Sequence, residues 1–363
     1  MPLREFLRGE TVPDDAPRDL TEVRKRAQER MHGICTANKV CDGAPQRVCQ
    51  GQKYGAGIGF GGAGKGLSFA ANVDALDRVK LKTRLVSAHA EPELGAAYLG
   101  RKLAMPVMPS SLSGVKASMG GSISELEFAR SVLRGAKEAG LLGWIGNTAD
   151  DGEECTGIEA VASVGVGVTI FKPQSNAKLI ELFSLAERAG AVAVGVDLDG
   201  VGSTNWDKAG KPVYRKSPKE LRELADSTEL PFVAKGIMCV EDALAAKDAG
   251  ADAIDVSNHG GRALDSTPGV ADVLPGIAKA VGGKLAVTAG GGVRTCFDVL
   301  KMLALGADAA LVGRDVARAA IGGGAAGVRM HFEYLRGDLR RAMMLTGCNS
   351  VDDVDVRIIE PPH

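Results

Sequence analysis

The sequence of 363 residues predicts an α/β protein, a (β/α)8 barrel with an irregular and helical N-terminal extension and an extra C-terminal helix. The main observation is an alternation of eight strand-like apolar runs with eight helical patterns. The runs are Met105–Pro109, Gly143–Gly146, Gly167–Phe171, Val192–Leu198, Phe232–Gly236, Ala253–Ser257, Leu285–Ala289 and Ala309–Val312. An open doubly wound sheet is the alternative, but eight units favour closure.

Glycine directly before the next strand is the second observation, as in Ala189-Gly190, Ala249-Gly250 and Leu305-Gly306-Ala307. Glycine adopts the left-handed conformation that ends a helix. The helical patterns are Ser124–Ala139, Gly157–Ser163, Ala177–Ala189, Pro218–Ala225, Val240–Asp248, Val270–Val281, Cys296–Leu305 and Ala317–Ile321.

The segments that flank the barrel give three parts: an extension with a Cys- and Gly-rich lobe at 1–95, a barrel at 96–350 and a tail at 351–363. In the extension, apolar residues at helical spacing predict one helix through Arg30 and a second over Asn72–Leu85. A further amphipathic helix, Val328–Leu345, is expected to pack on the barrel or on a neighbouring subunit.

Composition excludes several classes of protein. The chain is 45% hydrophobic and carries a formal net charge of −1, so nothing indicates a nucleic-acid partner. Neither an apolar leader nor a run long enough to span a bilayer is present, which predicts a cytoplasmic protein without a membrane partner. Seven cysteines, an odd number in a chain of this size, indicate reduced thiols rather than a disulfide framework.

The N-terminal lobe contains Cys35, Cys41 and Cys49 beside His32. A metal or iron–sulfur site is conceivable, but common zinc ligands are paired two to four residues apart, closer than these cysteines. Reduced thiols in an irregular lobe are the favoured interpretation, and no metal is predicted.

A glycine-rich segment follows, in which Gly59 to Lys65 fits the phosphate-loop spacing. Gly66 stands where Ser or Thr would hold the metal ion, and no strand precedes the segment. A flexible glycine loop, acting as a lid over the barrel mouth, is the preferred interpretation.

Two strand ends carry candidate catalytic groups. Lys235 lies inside an apolar run, where its charge is costly without an anionic neighbour, and we expect the charge of a substrate or cofactor rather than a structural ion pair. The next strand ends at Ser257-Asn258-His259-Gly260-Gly261-Arg262. His259 can move a proton near neutral pH, and Arg262 can hold a carboxylate. Active sites of such barrels lie at this end of the strands.

The last two strands are followed by glycine and arginine: Gly290-Gly291-Gly292-Val293-Arg294 and then Gly313-Arg314. Glycine-rich turns at helix N-termini in these positions usually bind phosphate. Ordinary turns with surface arginines are the alternative. The combination predicts a phosphate-bearing cofactor across the barrel mouth and a small acid near His259.

These motifs resemble the FMN-dependent α-hydroxy acid oxidases and dehydrogenases, a family that includes glycolate oxidase, lactate oxidase and mandelate dehydrogenase. The resemblance covers roughly residue 70 onward and is strongest from Phe232 to Cys348. It rests on Lys235-Gly236-Ile237, Ser257–Asp265, Gly291–Arg294, Leu303–Ala307 and Met343–Cys348. The N-terminal lobe is closer to a branch of such proteins from anaerobes.

The resemblance implies FMN-dependent oxidation of a small 2-hydroxy acid to the 2-oxo acid in a TIM barrel. His259 would be the base while two electrons pass to the flavin, as hydride or through a carbanion. Arg262 would hold the carboxylate, and Lys235 would stabilise the reduced flavin. The implied cofactor-binding residues are Lys235, Ser257, Gly291, Gly292, Arg294, Gly313 and Arg314. The implied partners are a small acid and other copies of the chain, with a tetramer possible.

Several residues depart from the family pattern. Gly290 replaces an aspartate that contacts the ribityl chain, and alignment places Gly167 and Thr169 where the family has a flavin-binding glutamine and a substrate-binding tyrosine. The family's N-terminal tyrosine has no clear counterpart in this sequence, unless Tyr54 takes its place. The family has a second carboxylate-binding arginine after its fourth strand. Here the segment at that position, Gly202-Ser203-Thr204-Asn205, contains no arginine. The candidate substitutes are Lys172, Trp206, Lys208 and Arg215.

These departures keep two alternatives open. One is another flavin-barrel reaction, such as isomerisation by reduced flavin. The other is a divergent barrel with weak or no FMN binding and altered or no catalysis.

Overall fold

The computed structural model describes residues 16–31, 61–86, 88, 90–151 and 155–360. These contain ten strands: β1 (Ala96–Tyr98), β2 (Arg101–Leu103), β3 (Val107–Pro109), β4 (Trp144–Gly146), β5 (Gly167–Phe171), β6 (Ala191–Asp197), β7 (Phe232–Ile237), β8 (Ala253–Val256), β9 (Ala286–Ala289) and β10 (Ala309–Val312). The helices are α1 (Leu20–Arg30), α2 (Leu67–Arg78), α3 (Val115–Ser118), α4 (Glu125–Glu138), α5 (Thr156–Val164), α6 (Asn176–Arg188), α7 (Thr204–Lys208), α8 (Pro218–Ala225), α9 (Val240–Asp248), α10 (Val270–Val281), α11 (Cys296–Ala304) and α12 (Arg314–Thr346).

Eight parallel strands form the barrel, in the order β3-β10-β9-β8-β7-β6-β5-β4. The first and last strands of this order approach each other through a parallel bridge between Leu112 and Ile145, which nearly closes the sheet. Each predicted strand lies within two residues of an observed one. The predicted barrel is therefore confirmed.

The strands are apolar because they are covered on both faces, outside by helices and inside by their own side chains. β8 and β10 are buried along their whole length. At the amino ends of the barrel strands, the antiparallel hairpin β1–β2 inserts Tyr98, whose ring lies 5.8 Å from that of Trp144. The barrel is thus closed below and open only at the carboxyl ends of its strands.

The second helix of the extension was predicted in the wrong place. It spans Leu67–Arg78 instead of Asn72–Leu85, because Val79 turns extended and ends it. The following residues pair with the C-terminal segment, where Lys82 N donates to Ile358 O at 2.8 Å. Ile358 is buried, so the described part of the segment predicted as a tail packs on the body of the protein.

The C-terminal helix α12 contains a break at Gly324, between the two helices that the sequence predicts. Its second part packs on α4, and its first part packs on α1. A Cβ atom at Gly322 would lie 2.1 Å from Val23 O, so glycine permits the close approach of α1. None of the helices in the described ranges is long and apolar enough to cross a membrane.

Candidate active site

The open end of the barrel forms a cleft that opens to solvent. Every site residue that the sequence predicted lines this cleft: Lys235, Ser257, His259, Arg262, Gly291, Gly292, Arg294, Gly313 and Arg314. They come from the ends of β7, β8, β9 and β10.

Lys235 projects from β7 into a buried cluster of charges on the cleft floor. Its Nζ lies 2.8 Å from Asp197 Oδ1 at the end of β6 and 3.9 Å from Asp255 Oδ2 on β8. The second oxygen of Asp197 pairs with Lys172, which follows β5. The sequence had suggested a cofactor or substrate charge as the partner of Lys235, yet the protein itself supplies a carboxylate.

The protonation of this cluster follows from burial and charge. Burial opposes ionisation of Asp197, but Lys172 and Lys235 outweigh it and hold the pKa of that carboxyl well below its usual range. Burial opposes the charge of Lys235 as well, and Asp197 reverses the effect and raises the pKa of the amine. Asp255 behaves differently, because burial dominates and raises its pKa to about 7. Lys235 is therefore a permanent cation beneath the cleft.

His259 lies above this cluster in an unusual backbone conformation. Its φ is 59°, a left-handed value that is costly for a residue other than glycine and recurs at functional sites. Its Nδ1 lies 2.9 Å from Asp199 Oδ1 and 3.5 Å from Asp197 Oδ2. Its backbone N–H donates to Ser257 Oγ at 3.2 Å. Backbone and ring are thus both held by specific partners.

Helix α2 of the extension anchors the loop that carries His259. Asn72 Nδ2 donates to Asn258 Oδ1 at 2.8 Å, and Asn258 Nδ2 donates back at 3.1 Å. The same Asn258 oxygen accepts the Gly261 N–H at 2.9 Å. Both asparagines are buried, so this pair fixes the extension to the loop that carries His259.

Arg262 completes the polar side of the cleft. Its Nη2 donates to Ser118 Oγ on α3 at 3.0 Å, and burial lowers the pKa of the guanidinium. It also borders a side pocket beside His259. That pocket is lined by Lys172, Asp199, Gly200, Gly202, Ser203, Thr204, Asn205, His259, Arg262 and Ala263.

Two further arginines that line the cleft, Arg294 and Arg314, converge on one aromatic ring. Their guanidinium carbons lie 5.5 Å and 4.3 Å from the centre of the Phe69 ring. Arg314 also donates to Gly260 O at 2.9 Å. A Cβ atom at Gly260 would lie 2.7 Å from Arg314 Nη1, so glycine makes room for this arginine.

The two helix N-termini beside these arginines are not equivalent. Asp298 accepts the N–H groups of Arg294 and Thr295 and forms a capping box with Thr295, so the start of α11 is capped by the protein. Helix α12 starts after Gly313 without a side-chain cap. The sequence predicted a phosphate grip at both helix starts, whereas the geometry favours the start of α12.

The glycine segment that resembles a phosphate loop is described from residue 61 onward, and its amides bind a carboxylate of the protein. Lys65 N and Leu67 N donate to Asp265 at 2.7 and 2.8 Å. Ala63 N donates to Gly261 O at 2.8 Å. Its described part therefore lies against the loop that carries His259.

Two departures from the family pattern have a structural outcome. A Cβ atom at Gly290 would lie 3.1 Å from Leu311 Cβ and 3.7 Å from Ser110 Oγ, so the position packs closely against Leu311. The alignment of Gly167 and Thr169 with cofactor and substrate positions is wrong. A Cβ atom at Gly167 would meet Val161 and Leu133 of the outer helices.

Side chains alternate along a strand, so Thr169 faces outward as well. Ile170, the next residue, lines the cleft instead. Of the proposed substitutes for the second arginine, Lys172 lines the cleft, while Lys208 and Arg215 are exposed and Trp206 is buried.

The sequence did not single out Asp197, Asp199, Phe69 or Asn72. The two aspartates follow a strand in Val196-Asp197-Leu198-Asp199, and acidic residues just past a strand end were the available signal. Phe69 and Asn72 had no comparable signal, because their role depends on contacts with residues about 190 to 245 positions away. The predictions for Cys35, Cys41, Cys49, His32 and Tyr54 fall outside the described residues.

Comparison with known proteins identifies the relatives of this arrangement. A family model described as FMN-dependent dehydrogenase matches residues 58–211 and 202–361. The 4-hydroxymandelate oxidase of Amycolatopsis orientalis is 33% identical over 335 residues, which cover 80% of this chain and 89% of the relative. Human 2-hydroxyacid oxidase 1 is 32% identical over 339 residues, with 82% and 90% covered. An L-lactate dehydrogenase from a Caulobacter strain is 46% identical over 141 residues, only 37% of its length.

Solved structures agree with the sequence relatives. Mandelate oxidase with (S)-2-phenylpropionate superposes with a TM-score of 0.73 at 29% identity and covers 94% of this chain and 97% of that one. A mandelate oxidase variant with a monooxide FMN adduct gives 0.70 at 33% identity, with 83% and 93% covered. Fold, site and sequence lead to one conclusion: the chain belongs to the FMN-dependent dehydrogenase family.

Proposed function

We propose that the protein oxidises a small 2-hydroxy acid to the corresponding 2-oxo acid, with FMN bound in the cleft. The observation that carries this proposal is the arrangement of one cleft. His259 and Arg262 line it, the permanent cation Lys235 lies on its floor, and Arg294 and Arg314 add two further cations to its lining. Relatives named 4-hydroxymandelate oxidase and 2-hydroxyacid oxidase support the substrate class.

The residues present fit FMN. A Cβ atom at Gly313 would have no neighbour closer than 3.9 Å, so the backbone at the uncapped start of α12 faces open space in the cleft. That helix start and the two arginines suit a phosphate. Lys235 would face the part of the flavin that becomes anionic. Ser110 would replace the missing ribityl contact opposite Gly290.

The residues of the chain have distinct roles in this reaction. Arg262 binds the substrate carboxylate and thereby fixes the acid beside His259. The imidazole accepts the proton of the 2-hydroxyl group through Nε2, because Nδ1 faces carboxylates. Bound FMN would supply the two-electron acceptor, taking up the C2 hydrogen as hydride while His259 holds the hydroxyl proton. The products are a 2-oxo acid and reduced cofactor.

The side pocket beside His259 favours a short polar substrate tail. Its lining includes the hydroxyls of Ser203 and Thr204 and the amide of Asn205, and no Phe, Tyr or Trp side chain lines it among the described residues. Lys172 and Arg262 contribute positive charge, which Asp199 partly offsets. A phenyl tail would cover these polar groups without a hydrogen bond, at a cost of about 1–3 kcal/mol for each group that loses its contact with water.

We also propose a cytoplasmic homo-oligomer, with a tetramer as the leading form. Three large side chains of α11 and α12 are half exposed: Phe297 at 49%, Tyr334 at 50% and Leu345 at 51%. Such residues on neighbouring helices favour a subunit contact. Light scattering after size exclusion measures the subunit number, and a monomer contradicts this part of the proposal.

The principal test is anaerobic reduction of the bound flavin, followed by its absorbance. We expect a 2-hydroxy acid to bleach the wild-type protein. His259→Ala should slow the bleaching by on the order of 100- to 10,000-fold, because it removes the base. Arg262→Met should raise the substrate Kd by roughly 10- to 100-fold, because it removes a charge-assisted hydrogen bond.

Arg215→Met is the matched control for Arg262→Met, because Arg215 is exposed on the surface. It should behave as the wild type does. A colourless protein that takes up no added FMN would contradict the whole proposal and favour a barrel that has lost its cofactor. A yellow protein that no 2-hydroxy acid bleaches would favour another flavin reaction.

A further inference from the structure

A row of polar side chains crosses four neighbouring strands inside the barrel. Strand pairing sets Asp197 opposite Lys235 and Lys235 opposite Asp255. Asp255 in turn stands opposite Thr288 of β9. We propose that Asp255 couples reduction of the bound cofactor to proton uptake, because it accepts a proton when negative charge develops beside Lys235. This inference rests on the proposed function, in which Lys235 faces the part of the flavin that becomes anionic.

The two oxygens of the Asp255 side chain have different surroundings. Oδ1 accepts the hydroxyl of Thr288 at 3.1 Å. Oδ2 lies 3.9 Å from Lys235 Nζ, beyond hydrogen-bond length, and no donor within the described ranges bonds to it. The residue is 0% exposed, so bulk water does not reach this oxygen. The ionised form of Asp255 is therefore stabilised by one hydroxyl and by the charge of Lys235.

The hydroxyl of Thr288 suits both protonation states of Asp255. Its Oγ1 lies 3.1 Å from Asp255 Oδ1 and 3.3 Å from Ile254 O. Beside the ionised carboxylate it donates its hydrogen to Asp255. Beside the protonated carboxyl it accepts from Asp255 and turns its own hydrogen to the carbonyl of Ile254. A change of protonation at Oδ1 therefore requires only the rotation of one hydroxyl.

Two carboxyls compete for the ammonium group of Lys235. Nζ lies 2.8 Å from Asp197 Oδ1 but 3.9 Å from Asp255 Oδ2. Asp197 also pairs with Lys172, so two cations hold it ionised. For Asp255 burial is the largest effect and raises the pKa to about 7, although Lys235 and Thr288 oppose it. Asp255 is thus the member of the row whose charge changes near neutral pH.

The charged and titratable groups that face Asp255 come from β6 and its following turn, from β7 and from the hairpin β1–β2. Asp197 and Asp199 favour its protonated form, and Lys235 favours the ionised form. Tyr98 stays neutral, because burial raises the pKa of its hydroxyl well above the usual range. Negative charge added beside Lys235 offsets the cation of this set, so it favours protonation of Asp255.

Reduction of the cofactor adds such a charge. The substrate gives up two electrons and two protons, the cofactor takes both electrons and one proton, and its negative charge grows by one. Asp255 takes up an equivalent of the second proton, which balances the new charge. A unit charge about 6–12 Å away changes a proton affinity by roughly 10- to 100-fold at an effective dielectric constant of about 20.

The sign of this effect defines a pH window. Above about pH 7, Asp255 is ionised in the oxidised protein. A 10- to 100-fold higher proton affinity keeps it protonated in the reduced protein up to about pH 8 to 9. Below about pH 7 it is protonated in both states. Proton uptake by Asp255 on reduction is therefore expected near pH 8 and not near pH 6.

The FMN-loaded protein, equilibrated with a reference dye at several pH values, gives the protons taken up with two electrons from the slope of its midpoint potential. We expect wild type to take up as much as about one proton more than Asp255→Asn at about pH 8, and no more than this variant at about pH 6. The infrared difference spectrum of electrochemical reduction at about pH 8 should gain the band of a protonated carboxyl. Asp255→Asn should lack this band.

Asp252→Asn is the matched control, since it removes the same charge from an exposed position directly before β8 and should keep the wild-type uptake and band. If Asp255→Asn does not fold, Asp255→Val removes the same carboxyl and places a strand-forming side chain there. Equal proton uptake in wild type and the Asp255 variant at about pH 8 would overturn the inference. So would a carboxyl band that persists in that variant.

Neither measurement uses a 2-hydroxy acid, so the two proposals fail separately. A bound flavin that shows the extra proton and the carboxyl band, but that no 2-hydroxy acid bleaches, would refute the oxidase and keep the coupling. Bleaching by a 2-hydroxy acid together with equal proton uptake in wild type and Asp255→Asn would refute the coupling alone.

Discussion

Removal of the Asp265 carboxylate should weaken the contact between the extension and the loop that carries His259. This side chain caps helix α2 from a distance of almost 200 residues, since it accepts N–H groups from Lys65, Leu67 and Ser68. Loss of a helix N-cap costs about 0.5–2 kcal/mol, and loss of a negative charge at a helix start adds about 0.3–1 kcal/mol. We therefore expect Asp265→Ala to lower the free energy of unfolding by about 1–3 kcal/mol.

The same variant should weaken cofactor binding, because α2 carries Phe69 and Asn72 into the site. A loss of about 1 kcal/mol at the site corresponds to a roughly fivefold rise in the FMN Kd. Urea unfolding and titration of flavin fluorescence measure the two effects. Asp207→Ala, at an exposed position, is the control.

The dependence on pH gives a sharper check. Burial opposes ionisation of Asp265, but the backbone N–H groups of Lys65 and its neighbours dominate and lower its pKa in the folded protein. A lowered pKa stabilises the fold above the unfolded pKa of about 4, and this contribution is lost as the pH falls through the folded value. The difference between wild type and Asp265→Ala should be full at pH 7 and shrink below about pH 4. An equal unfolding free energy in the two proteins at pH 7 would refute the reasoning.

Three further changes test other parts of the structure. Gly322→Ala should destabilise the fold by about 1–3 kcal/mol, since a Cβ atom there would lie 2.1 Å from Val23 O. Gly337→Ala, also in α12, has open space around the new Cβ atom and should stabilise the fold by up to about 1 kcal/mol. Thermal unfolding compares them, and equal shifts would contradict the packing. Burial raises the pKa of Asp255 to about 7, so the folded protein keeps a proton on this carboxyl that the unfolded chain releases near pH 4. The free energy of unfolding therefore falls from about pH 4 to pH 7. Asp255→Asn should flatten that fall in urea unfolding, and an unchanged slope would contradict the assignment. Lys235→Met leaves a buried carboxylate with one lysine and should cost about 3 kcal/mol of stability as well as FMN affinity, in the same assays.

The barrel was predictable from sequence because its signals are local. Apolar runs, several preceded by a helix-ending glycine, predicted all eight barrel strands within two residues, and the glycines beside His259 and Arg294 indicated the site. The start of α2 was not predictable, because Asp265 caps it from a distant part of the chain. The orientation of Thr169 also failed, since a shift of one residue exchanges the two faces of a strand.

The charges on the floor of the cleft show the same limit. Lys235 was recognised as a lysine in an apolar run, but its partner Asp197 is 38 residues away. The two residues occupy paired positions on the adjacent strands β6 and β7, and sequence spacing does not give the register between the two strands. The lysine could therefore be identified as unusual, while the carboxylates that determine its charge and that face His259 could not.

The contact between α1 and α12 has a consequence for the synthesis of the protein. Arg30 Nη1 donates to Ile321 O at 2.6 Å, across 291 residues of sequence. Ribosomes add about 5–20 residues per second, so α1 leaves the ribosome roughly 15–60 s before its partner exists. During that interval Val23 and Ala27, both buried in the finished fold, are exposed on the nascent chain. A chaperone that binds nascent chains would find an apolar target there.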